Sequence, residues 1–121
     1  MKHNKVLGDL GEEYVRKYLE KEGYKILRHN FKTSFAEIDI IAQKDEIIAF
    51  VEVKTRENKE FGRPAEAVTK SKQRSIRNAA SVYIMNIDDK IGRFDVAEII
   101  ATINRDGLDV LDFNYIENAF Y

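Results

Sequence analysis

Val6, Leu7, Leu10, Tyr14 and Tyr18 recur at intervals of one, three and four, with Val15 and Leu19 widening the stripe. That periodicity predicts a helix with one buried face. Asn4 suits its N-cap, and Gly23 suits its stop after Glu22. Gly8 and Gly11 cost helix stability, so they predict close approach to another element or to a substrate. Beyond Gly23 the period changes to two. Residues 24–31 (YKILRHNF) read as a strand and KTSF as a turn. Residues 36–43 alternate, with Glu37, Asp39 and Ile41 on one face and Ile38, Ile40 and Ala42 on the other. Lys44-Asp45 makes the next turn, and residues 46–55 form the most apolar strand. Its continuous run 47–51 predicts burial on both faces, with Phe50, Glu52 and Lys54 sharing one of them.

The pattern then breaks into a charged loop, RENKEFGR (56–63), followed by Pro64 at a helix start and a short helical piece, PAEAV. A longer helix is predicted over 69–85. Ile76, Ala79, Ala80 and Tyr83 make its core face, and Lys70, Arg74 and Arg77 stack on the opposite one. Residues 93–103 and 108–115 read as strands joined by the hairpin signal NRDG, with the last residues packing as a short tail. The predicted order is helix, three strands, helix, two strands. Such an order makes an α/β domain over residues 1–121, with a central mixed sheet of about five strands covered by helices on both faces.

Composition adds exclusions and one positive hint. With no cysteine, disulfides, thiolate zinc sites and cysteine nucleophiles are ruled out. No stretch approaches the roughly 20 apolar residues of a membrane span, which makes a cytoplasmic protein without membrane contact the expectation. The net charge of −1 is unevenly placed. Residues 54–77 carry eight Lys and Arg against three Asp and Glu, whereas residues 78–121 carry three against eight. Positive charge is therefore concentrated directly after the most apolar strand, where a polyanion can be held.

That placement matters because the strand pair carries acids where apolar residues are expected. Asp39, twelve intervening residues, and then Glu52-Val53-Lys54 bring two carboxylates and a lysine onto neighbouring strands. Carboxylates on half-buried strands are costly unless something pairs them. They can hold Mg²⁺ or Mn²⁺ through oxygen, with the Val53 carbonyl as a further ligand and Lys54 orienting a water. The same residues also suit a Glu–Lys surface pair at a strand end, and residue types alone leave both open. Glu37 shares the face of Asp39 and suits a supporting role, with Arg28 or Lys54 as partner. Arg93 and Asp95 suit a buried ion pair as well as a functional one. His3 and His29 lack acidic or histidine neighbours at metal spacing.

Five segments together resemble a known family: GEEYVRKYLEKEGYKIL (11–27), AEIDIIA (36–42), FVEVKTR (50–56), GRPAEAV (62–68) and RFDV (93–96). They are similar to the YraN-type family of small, uncharacterised bacterial proteins, within the PD-(D/E)xK superfamily that includes Holliday-junction resolvases. The resemblance covers nearly the whole chain. It implies a three-layer restriction-endonuclease-like fold, with the metal-binding aspartate at Asp39 and the acid-x-lysine motif at Glu52 and Lys54. It also implies that Glu12, directly after Gly11, completes the site from the first helix. Two positions depart from the pattern. Ala36 stands where the family usually has glycine. Gln73 is followed four residues later by Arg77, so the Gln-x-x-x-Tyr motif of some related nucleases is absent and Gln73 is left a supporting role.

The expectation is a metal-dependent endonuclease acting on DNA, branched or otherwise structured, with Mg²⁺ or Mn²⁺ as cofactor. Arg56, Arg63, Lys70, Arg74 and Arg77 are the candidates for phosphate contact. A homodimer would set two such sites together, as cutting both strands requires. The competing readings are a nucleic-acid-binding module with little turnover, and an adaptor using the acidic residues 78–121.

Overall fold

The computed structural model describes residues 2–57 and 68–120, in which two helices and five strands form. Helix α1 (Lys2–Lys21) leads into β1 (Lys25–Lys32), β2 (Glu37–Lys44) and β3 (Ile47–Arg56). Helix α2 (Lys70–Ile84) precedes β4 (Ile91–Asn104) and β5 (Gly107–Phe120). The five strands make one sheet in the order β1-β2-β3-β4-β5. Only β3 and β4 run parallel, because the connection containing α2 crosses between them; the other neighbours are antiparallel.

Each sheet face has its own helix. Val15 and Leu19 of α1 pack on Ile40, Ala42, Ala49, Val51, Ala97, Ile99 and Ala101. The alanines keep that face shallow. Ile76, Ala79 and Ala80 of α2 pack on Ile41, Ile48, Phe50 and Val96 on the other face. This is the three-layer α/β arrangement expected from the pattern, and β3 is covered on both sides. Each fully buried valine or leucine contributes about 1.5–3 kcal/mol relative to exposure.

Helix α1 begins at Lys2, so Asn4 lies inside it rather than capping it. Its end follows the reading: Gly23 has φ +94, the Tyr24 N–H donates to the Leu19 carbonyl (2.9 Å) and the Gly23 N–H to that of Glu20 (3.1 Å). This is the Schellman geometry that a glycine permits. The buried stripe is rotated from the expected one. Leu7, Gly11, Val15 and Leu19 face the sheet, while Val6 and Tyr14 are 46% and 37% exposed. Gly11 explains the rotation, since a Cβ there would lie 2.1 Å from Thr55 Oγ1 of β3. The helix meets the sheet most closely at its glycine, and a stripe centred on Tyr14 would hold it off. Gly8 faces open space instead.

Three further details depart from the reading. The β2–β3 turn is Asp45-Glu46, one residue later than expected, with Asp45 at φ +54. The last residues form no tail: β5 runs on to Phe120, which stacks on Phe94 at 5.1 Å. The extension is held by Asp95, fully buried, whose carboxylate accepts from the Asn118 N–H (2.9 Å), the Tyr115 hydroxyl (2.6 Å) and Arg93 (2.8 Å). Arg93 also donates to the Tyr24 hydroxyl. Three residues of β4 and β5 donate to one carboxylate there, which makes Arg93–Asp95 a structural pair. Pro64, the PAEAV piece and most of the GRPAEAV motif lie outside the described residues.

Gly11→Ala drives a methyl into Thr55 and is expected to cost about 1–3 kcal/mol. Gly8→Ala, with nothing within 4 Å, is expected to stabilise by up to about 1 kcal/mol. Urea unfolding of both variants measures the contrast.

Candidate functional site

The sheet forks where the acids stand. The β2–β3 ladder runs from Lys44↔Ile47 to Ile40↔Val51 and stops there, although both strands continue. Beyond that point the Asp39 side chain reaches across, and its Oδ2 accepts the Val53 N–H at 2.8 Å. A carboxylate thus takes the place of a strand partner. Glu52, the residue before, lies on the α2-facing side with Phe50 and is only 2% exposed. Its Oε2 is 3.2 Å from Lys72 Nζ and 3.9 Å from Lys54 Nζ. Its Oε1 is buried and has no hydrogen-bond partner among the described residues.

This crowding of like charge in a dry place moves the acids upward. Burial is the main cause for Glu52, with the Asp39 charge second, and its pKa rises to about 7 despite Lys72 and Lys54. Asp39 is also raised, chiefly by burial, against the opposing pull of the Val53 N–H and the two lysines. Glu12 rises to about 7 through burial and the charges of Asp39 and Glu37. The lysines divide. Lys54 is lowered by burial and by Lys72 beside it. Burial also opposes the charge of Lys72, but contact with Lys54 and the two carboxylates outweighs it, so its pKa rises.

The structure therefore brings Asp39, Glu52, Val53 and Lys54 together, with Glu12 within electrostatic reach of Asp39 from α1. The rotated stripe explains Glu12: with Leu7, Gly11, Val15 and Leu19 facing the sheet, Glu12 falls at the rim of the buried face. Glu37 is exposed and pairs with Lys32 (3.6 Å), neither with Arg28 nor with Lys54; Arg28 lies over the Phe31 ring at 5.0 Å. Gln73 donates to the Val68 carbonyl (3.1 Å) and anchors the start of α2. Lys70 and Arg74 are exposed, Arg77 is half-buried, and Arg56 ends β3 opposite Ile100. Arg63 lies outside the described residues. His3, which has no acidic neighbour at metal spacing in sequence, contacts Glu57 at 2.7 Å.

Lys72 is the site residue that sequence reasoning missed. It stands one turn before buried Ile76 and two before Ala80, so it extends the core face of α2 toward the sheet. A lysine in line with a buried stripe, following a strand with a buried acid, was the available signal.

The family model described as "Uncharacterised protein family UPF0102" matches residues 11–99, a span holding Glu12, Asp39, Glu52, Lys54 and Lys72. The UPF0102 protein of Clostridium perfringens strain 13 is 49% identical over 121 residues, covering 98% of this chain and 97% of that one. That of Dictyoglomus thermophilum is 44% identical over 120 residues, covering 98% and 99%. The chain belongs to family UPF0102. The expected likeness to an uncharacterised family is thus met. The relatives' names carry no activity, so for UPF0102 the chemistry has to come from the geometry. Among the described residues no helix is long and apolar enough to cross a membrane. Nor, among those residues, do three acidic or histidine side chains gather as a ready-made metal cage. The fork offers a smaller donor set: two carboxylates, one with an orphaned oxygen, and two ammonium groups beside them.

Glu12 and Glu52 have folded-state pKa values near 7, above their ordinary value of 4.5. The folded chain therefore binds more protons than the unfolded one between those limits. The stabilising contribution is complete below about pH 4.5 and is lost as pH rises through 7. In chelator, stability is expected to fall from pH 5 to pH 8, with Glu52 accounting for on the order of 3 kcal/mol. Glu52→Gln should flatten the profile, as read by denaturant melts across that range.

Proposed function

We propose that this UPF0102 protein is a metal-dependent nuclease of PD-(D/E)xK type that hydrolyses phosphodiester bonds in DNA. The observation that carries the reading is the fork: where the β2–β3 ladder ends, Asp39 bonds the Val53 N–H and its charge acts on the adjacent buried Glu52, whose Oε1 is unpartnered among the described residues. The donor set suits a hard divalent cation. Mg²⁺ is commonly held by one or two carboxylates and completes its shell with water and substrate phosphate. Asp39 and Glu52 would hold it, with the Val53 carbonyl as a further ligand. The raised pKa values of both acids describe a site whose negative charge lacks full compensation.

Mg²⁺ or Mn²⁺, when bound, supplies charge neutralisation at the phosphate and a lowered pKa for the attacking water. The rest falls to the chain. Asp39 is fixed by the Val53 N–H, so its carboxylate would need little side-chain reorganisation to act as a ligand. Lys54, held at 3.9 Å from Glu52, donates to the attacking water or to the phosphoryl oxygen where charge develops. Glu12, on the α1 side and within electrostatic reach of Asp39, would complete the site directly or through a water. In the overall step the water oxygen bonds to phosphorus, one ester P–O bond breaks, and the leaving oxygen takes up a proton.

Phosphate contacts away from the reacting group fall to the basic stretch 54–77, with Arg56, Lys70, Arg74 and Arg77 as its described members and Arg63 alongside. A homodimer would pair two forks for two-strand cutting. A branched or otherwise structured DNA is the form that the family likeness favours.

The test is incubation with plasmid, single strands and four-way junctions in Mg²⁺ or Mn²⁺. Cleavage is expected to fall by about 100-fold or more in Glu52→Gln and Lys54→Ala. Cleavage that survives both substitutions points to a contaminant and removes the claim. Metal-independent binding without any cleavage would support the binding-module reading instead. In that case Lys70→Ala, Arg74→Ala and Arg77→Ala together should flatten the salt dependence of affinity.

A further inference from the structure

Lys72 has a position that neither the motif nor the family assigns. Its ammonium is nearer to Glu52 than that of Lys54, at 3.2 Å against 3.9 Å, and it contacts Oε2, the oxygen beside the unpartnered Oε1. The base of its side chain is fixed. Thr69 caps α2 by accepting the Lys72 N–H at 3.2 Å, and the neighbouring Gln73 holds the Val68 carbonyl. The far end is less confined: the Lys72 side chain is 40% exposed, whereas that of Lys54 is 23% exposed. A lysine ammonium is a compact point charge on a flexible four-carbon stem. Held on such a tether, it meets the carboxylate at an effective concentration of roughly millimolar or more.

We propose that Lys72 is a tethered monocation that occupies the carboxylate site and competes with the divalent cation for Glu52. This inference rests on the metal-site reading and adds a positioning residue to it. Two consequences follow. A divalent ion has to displace an ammonium, so affinity for the ion alone is weakened. Once displaced, the ammonium sits on a side chain that is 40% exposed and can move off the carboxylate. Lys54, more buried and farther away, lacks that freedom. Without a metal, the same contact keeps the two crowded acids from standing uncompensated beside each other.

The experiment is calorimetric titration of Mn²⁺ into the full chain, with electron paramagnetic resonance of free Mn²⁺ as a second readout. Lys72→Met should bind Mn²⁺ at least tenfold more tightly than the unaltered protein. Lys72→Arg, which keeps the tethered cation, should stay within a few-fold of it. Lys25→Met makes the same change in net charge at an exposed position opposite Gln43, at the other end of the β1–β2–β3 ladders, and it should leave the affinity unchanged. Thermal melts confirm that each variant is folded. Equal affinity in Lys72→Met and the unaltered chain overturns the competition, and weaker affinity assigns Lys72 to supporting the ion instead. Equal tightening in Lys25→Met reduces the effect to overall charge and also overturns it. If no protein, altered or not, binds Mn²⁺ at millimolar concentration, the metal reading itself falls and this inference with it.

Discussion

One hydrogen bond, from the Val53 N–H to Asp39 Oδ2 at 2.8 Å, organises the working end of this molecule. An antiparallel ladder between β2 and β3 would otherwise close the gap where both acids lie. Because a side chain satisfies the Val53 donor, residues 37–39 of β2, before Ile40, can stand off β3 without stranding a buried N–H. The sheet stays intact below the fork and opens above it. Asp39 is therefore structural, and in the proposed function the same carboxylate would also serve as a metal ligand. Removing that carboxylate would leave Val53 unpaired in a dry environment, a loss of about 1–3 kcal/mol before any chemistry is considered.

The rest of the fold keeps this opening polar and its surroundings dry. Helix α1 presses onto β3 at Gly11 and Thr55, bringing Glu12 to the rim of the sheet. Helix α2 covers the other face, and the residue one turn before its first buried isoleucine reaches the Glu52 carboxylate. Two acids and two lysines share the gap, each altering its neighbours' protonation. Such a cluster is poorly explained by stability, since crowded buried carboxylates favour protonation and Glu52 keeps an unsatisfied oxygen. The Asp95 cluster, by contrast, satisfies its carboxylate with donors from Arg93, Tyr115 and Asn118. The two buried acids thus illustrate a paired group that ties strands together and an unsatisfied one poised for a ligand.

Much of this was legible in the residues because alternation holds along β3. On β2 it breaks at Ile38, which packs with Ile41 on the α2 side rather than with Ile40 and Ala42 as the pattern predicts. Phe50, Glu52 and Lys54 share the α2 side, and the 47–51 run is covered on both faces. The elements themselves, and the core face of α2, followed from periodicity. What was not legible depended on contacts between elements distant in sequence. The α1 stripe turned because Gly11 meets Thr55, 44 positions away, and hydropathy contains no record of that approach. The β5 extension depends on Asn118, in left-handed conformation, donating to the buried Asp95. Lys72 escaped notice because charges on α2 were sorted to the face opposite the apolar stripe, the usual rule for a surface helix. Here the stripe runs on past its apolar end into a site that itself contains acid.

The central claim is that the fork between β2 and β3 is a cation site. A crystal soaked in Mn²⁺ and measured at the manganese absorption edge tests it most directly. The account predicts an anomalous peak between the Asp39 and Glu52 carboxylates, with oxygen ligands at about 2.1–2.3 Å. No peak there at millimolar Mn²⁺, or a peak held only by surface acids elsewhere, would contradict it.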